Sequence, residues 1–385
     1  MNKEMKTENL SENHQLAMDT LDLKPTKGIG SADIHMMDHQ HIERLAGVEP
    51  GAYVKNPDEV YLGMQHAVGT CFIDQFLPRN PLSMGDAGYE SDSDRKDTAT
   101  TGAKEIILDG MVIDSPEAVA EHLEKYRFPK IRKMIDEFDE DAEVAKLIAH
   151  ERNIQKKFGP SILKAPYGMV IFPVLRNYDY GYENYFMAYM LYPELMEKDF
   201  SIRADFGVVK NRAIARAYIE GNLPRFYRLD YDMADSRSML IDIKTLDKLW
   251  FPHFVRSIEP LQKAGIKLIW HCDGNLMEMV PRLLDVGLCG FQGFQYECGM
   301  DYEKICKMKT RDGDDLIIMG GVSVTTTLPH GTPDDVRKEM KWLVDNGPKT
   351  GLFLSNSSSI APGVPWENIE AFVEGLKYYR EHGRG

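Results

Sequence analysis

The chain has 385 residues, with 46 Lys+Arg against 60 Asp+Glu and a formal net charge of −14. That acidic balance is the reverse of what a phosphate backbone attracts, and no run approaches the ~18 uninterrupted apolar residues of a membrane span, so neither nucleic acid nor membrane is an expected partner. The length suits two domains of about 150 residues or one decorated α/β barrel of about 250. The five cysteines, Cys71, Cys272, Cys289, Cys298 and Cys306, form no CxxC pair. Together with the absence of an apolar leader in the first thirty residues, they lead us to expect a reduced, cytoplasmic protein.

Residues 1–24 are polar and are expected to form an exposed helix or a frayed tail without chemistry. A helical region follows around DHQHIERLAG, ended by Gly47 and Pro50, where His35, His39 and His41 match no ligand spacing and read as solvated or structural. An amphipathic helix is predicted over Pro57–Val68, then a short apolar strand closed by Asp74. Residues 105–116 read as a hairpin turning at Asp109-Gly110. Residues 117–156 read as helical, with the acidic run DEFDEDAE as a solvated face, and SILKAPYGMVIFPVL is the next buried run. Pro193 opens a helix reaching about Glu220.

From about Arg225 to the C-terminus, short apolar strands and helices alternate. Thr332 suits an N-cap with Asp334 and Asp335 in the first turn, Gly347 follows the last turn, and Pro365 suits the first position of the final helix. Val336, Met340, Leu343 and Val344 line one face of the helix between them. No GxGxxG or GxxxxGK[ST] fingerprint occurs. The expected fold is α/β, a (β/α)8 TIM barrel over residues 35–385 with a hairpin insertion, preceded by an N-terminal helical extension over residues 1–34.

Barrel enzymes place their chemistry at the C-terminal ends of the strands, so polar residues closing apolar strands are the candidates. They are Asp74, Asp230, Asp232, His271, Cys272, Asp273, Asn275, Gln292, Gln295, Glu297, Cys298, Ser357 and Ser358. His271 and Asp273 are two apart, which puts them on one side of the pleat where they can converge on one ligand. Zinc accepts imidazole nitrogen, thiolate sulfur and carboxylate oxygen, and Glu297 with Cys298 at the end of the next strand stands nearest to complete a set with His271. The alternative is that His271 and Asp273 hydrogen-bond a substrate while Cys272 and Cys298 are buried small residues.

From about Ile266 to Ile369 the chain resembles the uroporphyrinogen decarboxylase superfamily. HCDGN matches a family strand end of the form HSCGN or HSDGN, and a GMD, a GGV followed by GTPDDV, and LSNSSSIAPGVPWENI follow in the family's order. A weaker likeness reaches back through FID at residues 72–74, so that the cover is roughly 35–380. The resemblance implies a (β/α)8 barrel. Uroporphyrinogen decarboxylases themselves carry an RQAGRY motif whose arginines hold an octa-acid substrate. Here GIGSADIHMMDHQHIERLAG stands in that region without an Arg before Arg44, so the guanidinium forks such a substrate needs are missing.

The superfamily's other branch carries out zinc- and corrinoid-dependent methyl transfer. Its coenzyme M members have a His-x-Cys pair where this chain has His271 and Asp273, and a distant Cys where it has Ser358. The loss of both thiolates speaks against thiol activation and fits a harder N/O site acting on an ether oxygen. By this resemblance the chain is similar to the methyltransferases that begin O-demethylation. It would move a methyl group from a small donor, best a methoxylated aromatic, to the cob(I)alamin of a separate corrinoid protein. Zinc would be held by His271, Glu297 and Cys298, with Glu297 in a place comparable to the Glu ligand that cobalamin-independent methionine synthase draws from the strand after its His-x-Cys. Asp74, Asp232 and Asp273 would orient substrate or donate a proton, with Asn275, Gln295 and Ser358 binding substrate. Tyr178, Tyr180 and Tyr182 would join them from one face of an extended segment. A homodimer is common in the superfamily. The alternatives are a metal-free lyase of the decarboxylase kind, a methylcobamide:thiol methyltransferase, and a non-catalytic barrel binding a corrinoid or tetrapyrrole.

Overall fold

In the computed structural model, which describes residues 11–85, 88–89 and 106–384, eight short strands carry the central architecture. They are β1 (Gly30–Ser31), β2 (Phe72–Ile73), β3 (Leu163–Lys164), β4 (Phe226–Asp230), β5 (Lys267–His271), β6 (Gly290–Gln292), β7 (Ile317–Val322) and β8 (Leu352–Asn356). The six-stranded parallel sheet runs β1-β8-β7-β6-β5-β4, β2 pairs in parallel with β3, and a parallel bridge between Ala32 and Phe72 joins the two sheets. This is the parallel, barrel-like α/β fold expected from the alternation of elements. β1 lies ahead of residue 35, so the first barrel strand falls inside the stretch expected to be an extension.

Strand alternation sorts the side chains. Phe72, Leu163, Phe226, Ile269, Ile317, Met319 and Phe353 fill the interior as one buried cluster, with Phe72 against both Phe226 and Phe353. Their neighbours, including Tyr227, Leu229, Leu268, Trp270, Phe291, Ile318 and Leu354, face outward into the larger core under the helices. Against β5, Trp270 meets Trp250 and Phe254, whose rings stack with centroids 4.4 Å apart.

The N-terminal segment departs from the expected exposed helix. Glu12–Leu21 is helical with Ser11 as N-cap, and it buries His14, Ala17, Thr20 and Leu21. Ala17 and Leu21 pack into the interior cluster, closing the N-terminal end of the barrel. Spacings of three and four residues make a narrow apolar stripe that a mean polarity hides.

The hairpin is as expected: Ile107–Leu108 pairs with Met111–Val112, and Asp109 and Gly110 have φ of 48° and 79°, the two left-handed residues of a type I′ turn. The acidic run is only partly solvated, because Glu140 and Glu143 pair with Arg212, Arg216 and Lys210 of the long helix Pro193–Gly221. Thr332 and Asp335 form a reciprocal capping box on Pro333–Asn346, and Pro365 takes the N-cap rather than the first position of Trp366–His382. Among the described residues no helix is long and apolar enough to cross a membrane.

Candidate active site at the barrel mouth

The register sets one layer of polar side chains at the C-terminal end of the strands. Asp230 of β4 is paired with His271 of β5, and His271 with Gln292 of β6. Because Arg228 and Asp230 share the face of Phe226, they point into the barrel while Tyr227 and Leu229 pack outward. Arg228 is 4% exposed and acts as the hub: Nε donates to Asp74 Oδ2 at 2.9 Å, Nη2 to Asp74 Oδ1 at 2.8 Å, and Nη1 to Asp230 Oδ2 and Gln292 Oε1, each at 3.2 Å. Tyr167 lies under the guanidinium, and its hydroxyl donates to Asp230 Oδ2 at 2.6 Å. Burial works to raise the Asp230 carboxyl, but His271 and Arg228 outweigh it and hold the group below its ordinary range.

Above this layer Asp232, His271 and Asp273 each offer a ligand atom within 4.8 Å of the others, the one such group of three among the described residues. The Asp273 N–H donates to Asp232 Oδ1 at 2.7 Å, and Ser358 Oγ donates to Asp273 Oδ2 at 3.1 Å. His271 Nε2 stands 3.9 Å from Asp230 Oδ1 and 4.0 Å from Asp273 Oδ1. Gly293, at φ 82°, lets the chain pass close to the imidazole, since a Cβ there would lie 3.0 Å from His271 Nδ1. His271 Nδ1 and Asp273 Oδ1 are both buried without a hydrogen-bond partner, a costly state for polar atoms unless a ligand satisfies them. Burial also raises the Asp232 carboxyl. One imidazole and two carboxylates with unsatisfied atoms fit a divalent cation such as zinc with N/O ligands.

The structure does not bring Glu297 and Cys298 into this group, contrary to the expected ligand set. β6 ends at Gln292, and Tyr296–Cys298 forms a short 3₁₀ turn that carries both residues away from the strand end. The Glu297 carboxylate accepts from the hydroxyls of Ser323 and Thr325 instead. Cys298 lies beside Gln295, with its thiol pushed up by burial. Cys272 turns opposite to its neighbours: its sulfur accepts the Met233 N–H, and burial pushes the thiol up to about 12, so it supplies no thiolate.

Gln295 and Ser358 line the mouth cavity with His271 and Asp273, and Gln295 Oε1 also accepts the Gly274 N–H at 2.7 Å. Asn275 bonds instead to the Arg237 carbonyl and the Met277 N–H and does not line the cavity. Asp74 is fully buried beneath it, committed to Arg228. The three tyrosines do not share a face of an extended segment, because Asn177–Tyr180 and Tyr182–Leu191 are helical. Tyr180 is buried with its hydroxyl on His122, whereas Tyr178 and Tyr182 meet edge to face and remain 49% and 38% exposed. Tyr178 lies near enough to Asp232 to feel its charge.

The mouth also holds two of the candidate strand-end residues, Asp230 and Gln292, and several residues that were not among the candidates. The cavity, about 530 Å³, is also lined by Asp33, His35, Gln75, Arg228, Asp230, Gln292 and Asn356. Asp33 follows β1 at φ 45°, accepts the Asp74 N–H on Oδ1 at 3.0 Å, and leaves Oδ2 buried without a partner. His35 is 8% exposed, and burial together with Arg228 lowers it to about 4, so it is neutral. His39 and His41 are structural, bonding the carbonyls of Pro81 and Val364. The R-x-D-x-D spacing in FYRLDYD was the legible signal for Arg228 and Asp230; β1 offered none.

Residues 231–379 match the family model described as uroporphyrinogen decarboxylase (URO-D). Two curated relatives, the methylcobamide:CoM methyltransferases MtbA of Methanosarcina acetivorans and Methanosarcina mazei, are 25% and 24% identical over 204 residues. The aligned stretch is 53% of this chain and 54% of each relative, so the chain spans about half the length of the curated relatives it matches. A solved structure described as a methyltransferase from Methanosarcina mazei covers 95% of this chain and 98% of its own, with a TM-score of 0.56 and 15% identity. That likeness extends the fold, not the activity, to nearly the whole chain.

Proposed function

We propose that this chain, which carries a uroporphyrinogen decarboxylase family domain, is a methyltransferase that moves a methyl group from a small methylated compound to the corrinoid of a separate protein. The donor we favour is a methoxylated aromatic. The observation that carries the reading is the cluster of Asp232, His271 and Asp273 at the barrel mouth, with two buried polar atoms that no protein group satisfies. The similarity to methylcobamide:CoM methyltransferases supports corrinoid chemistry. The missing thiolate ligands favour an oxygen substituent over a thiol at the cluster.

His271, Asp232 and Asp273 would hold zinc, which when bound supplies a Lewis acid for the heteroatom that loses the methyl group. Ser358 fixes Asp273 by donating to Oδ2, and the Asp273 N–H fixes Asp232, so that both carboxylates keep their aim. Arg228 and Tyr167 hold Asp230 at the cavity floor, and Gln292 and Gln295 offer amides to a polar substituent. Tyr178 and Tyr182 offer an aromatic wall on the Asp232 side. Beyond Tyr182 the exposed side chains Met187, Met190 and Leu191 continue an apolar surface, where a corrinoid protein can seat its cofactor above the mouth.

The test is a metal analysis coupled to turnover. Purified protein should carry near-stoichiometric zinc and, given guaiacol or vanillate with a reduced corrinoid protein, should form methylcobalamin; chelation should abolish the reaction. Turnover that survives complete zinc removal would return the site to a metal-free reading, and no methylcobalamin over a panel of methyl donors would favour a binding barrel.

A further inference from the structure

We propose that Asp33 is the acid that delivers a proton to the heteroatom released when the methyl group leaves. The inference rests on the methyltransferase reading, but its geometry is independent of the metal cluster. Asp33 lines the mouth cavity from the β1 side, with Oδ1 occupied by the Asp74 N–H and Oδ2 buried without a partner. Its backbone is held at φ 45°, in the left-handed region where an L-residue is strained and where Asp is among the better tolerated side chains.

The charges around Arg228 leave one carboxyl biased towards its protonated form. Asp33, Asp74 and Asp230 surround this single guanidinium, which donates to Asp74, Asp230, Gln292 and Gln75 and not to Asp33. His35 adds no charge, because it is neutral. Tyr61 also feels Asp33, and burial keeps it protonated. Burial and the Asp74 carboxylate push Asp33 well above its ordinary range, and Arg228 does not offset them. Asp33 is therefore the carboxyl of the three biased towards its protonated form; it lines the cavity and in that form can also hydrogen-bond the Asp74 side chain.

The bond from the methyl carbon to oxygen breaks with its pair on oxygen, while the methyl carbon bonds to the two-electron nucleophile that the corrinoid protein supplies. The Asp33 proton moves to that oxygen, giving the phenol and the Asp33 carboxylate, which solvent reprotonates. General acid assistance of this kind is worth about 10²–10⁴-fold, and it is needed most when the leaving oxygen is basic.

The experiment compares wild type with Asp33→Asn, which keeps an acceptor for the Asp74 N–H and tolerates the left-handed backbone. Aryl methyl ethers of graded phenol acidity are demethylated with a reduced corrinoid protein. The variant should lose about 100-fold or more with the least acidic phenol and little with the most acidic, steepening the leaving-group dependence. The wild-type minus variant infrared difference spectrum at neutral pH, without substrate or metal, should show a protonated carboxylic acid band. If the Asn variant does not fold, Asp33→Gly, which suits the same backbone, takes its place. Equal slopes, or a difference spectrum without that band, would overturn the role of Asp33 and leave the methyltransferase reading standing. A wild-type protein inert towards every ether would overturn the methyltransferase reading and the leaving-group role with it, even where the infrared band had identified Asp33 as neutral.

Discussion

Arg228 and Asp74, 154 positions apart in the chain, close a two-pronged ion pair inside the barrel, with both side chains at most 4% exposed. A pair so thoroughly removed from water does not stabilise by its charge attraction alone, but removing one partner strands the other. Asp74→Asn should therefore destabilise the fold by about 3–5 kcal/mol, read as a fall in the denaturant midpoint at unchanged m-value. Asp74 lies outside the cavity lining, so substrate KM should move less than stability does. A large loss of turnover in a variant of wild-type stability would return Asp74 to the catalytic role that its position after FID suggests.

The proposed zinc site at Asp232, His271 and Asp273 makes a graded prediction. His271→Ala should remove near-stoichiometric zinc binding, because the imidazole is the only nitrogen donor in the group. Ser358→Ala touches no metal but frees Asp273 Oδ2, and should weaken zinc affinity by roughly 10–100-fold, the usual loss when a ligand's own support is removed. Glu297→Gln should leave zinc affinity within a few-fold of wild type, since its carboxylate is engaged by Ser323 and Thr325. Competition with a chromophoric chelator measures all of these, and a Glu297 effect as large as that of His271 would restore the ligand set read from the sequence.

His35 predicts a pH dependence of stability. Its folded pKa is lowered from 6.5 to about 4, first by burial and then by Arg228. Below pH 6.5 the unfolded chain takes up a proton at this residue while the folded protein does not. The contribution is thus present above pH 6.5 and is lost as pH falls towards 4. At about 1.4 kcal/mol per pKa unit, wild type should lose about 3 kcal/mol more than His35→Gln between neutral pH and pH 4. Denaturant titrations of both proteins at the two pH values check it; parallel losses would mean that His35 is already charged when folded.

How far the mouth could be read from sequence depended on whether a residue ended a strand of recognisable length. β4 through β8 are three to six residues long, so the strand ends at Asp230, His271 and Gln292 were legible, and the two-residue spacing of His271 and Asp273 carried into the structure. β1 is two residues, paired through Gly30 with Phe353 and Ser31 with Leu354, and no apolar run marks it. Asp33 and His35 were therefore invisible as mouth residues. Glu297 failed for the converse reason: four residues separate it from the end of β6, and a 3₁₀ turn uses that length to change direction. The tyrosines failed because alternation implies a shared face only in extended chain, and Gly181 at φ 80° instead joins two helices there.

The apolar surface beside the mouth tests the partner. Met190 is 79% exposed and Leu191 56%, on the helix Tyr182–Leu191 whose first residue contacts Tyr178 near Asp232. Exposed apolar side chains grouped on one helix cost little in the free protein and gain when a partner covers them. Met190→Lys should leave stability within about 0.5 kcal/mol, as surface changes usually do. It should raise KM for the corrinoid protein about tenfold, the equivalent of ~1.4 kcal/mol of lost docking, while KM for the methyl donor stays put. Free cob(I)alamin used in place of the corrinoid protein supplies the control, because a small acceptor that needs only the mouth should not sense the substitution. If Met190→Lys slows transfer to free cob(I)alamin and to the corrinoid protein alike, the surface shapes the site itself rather than a docking face.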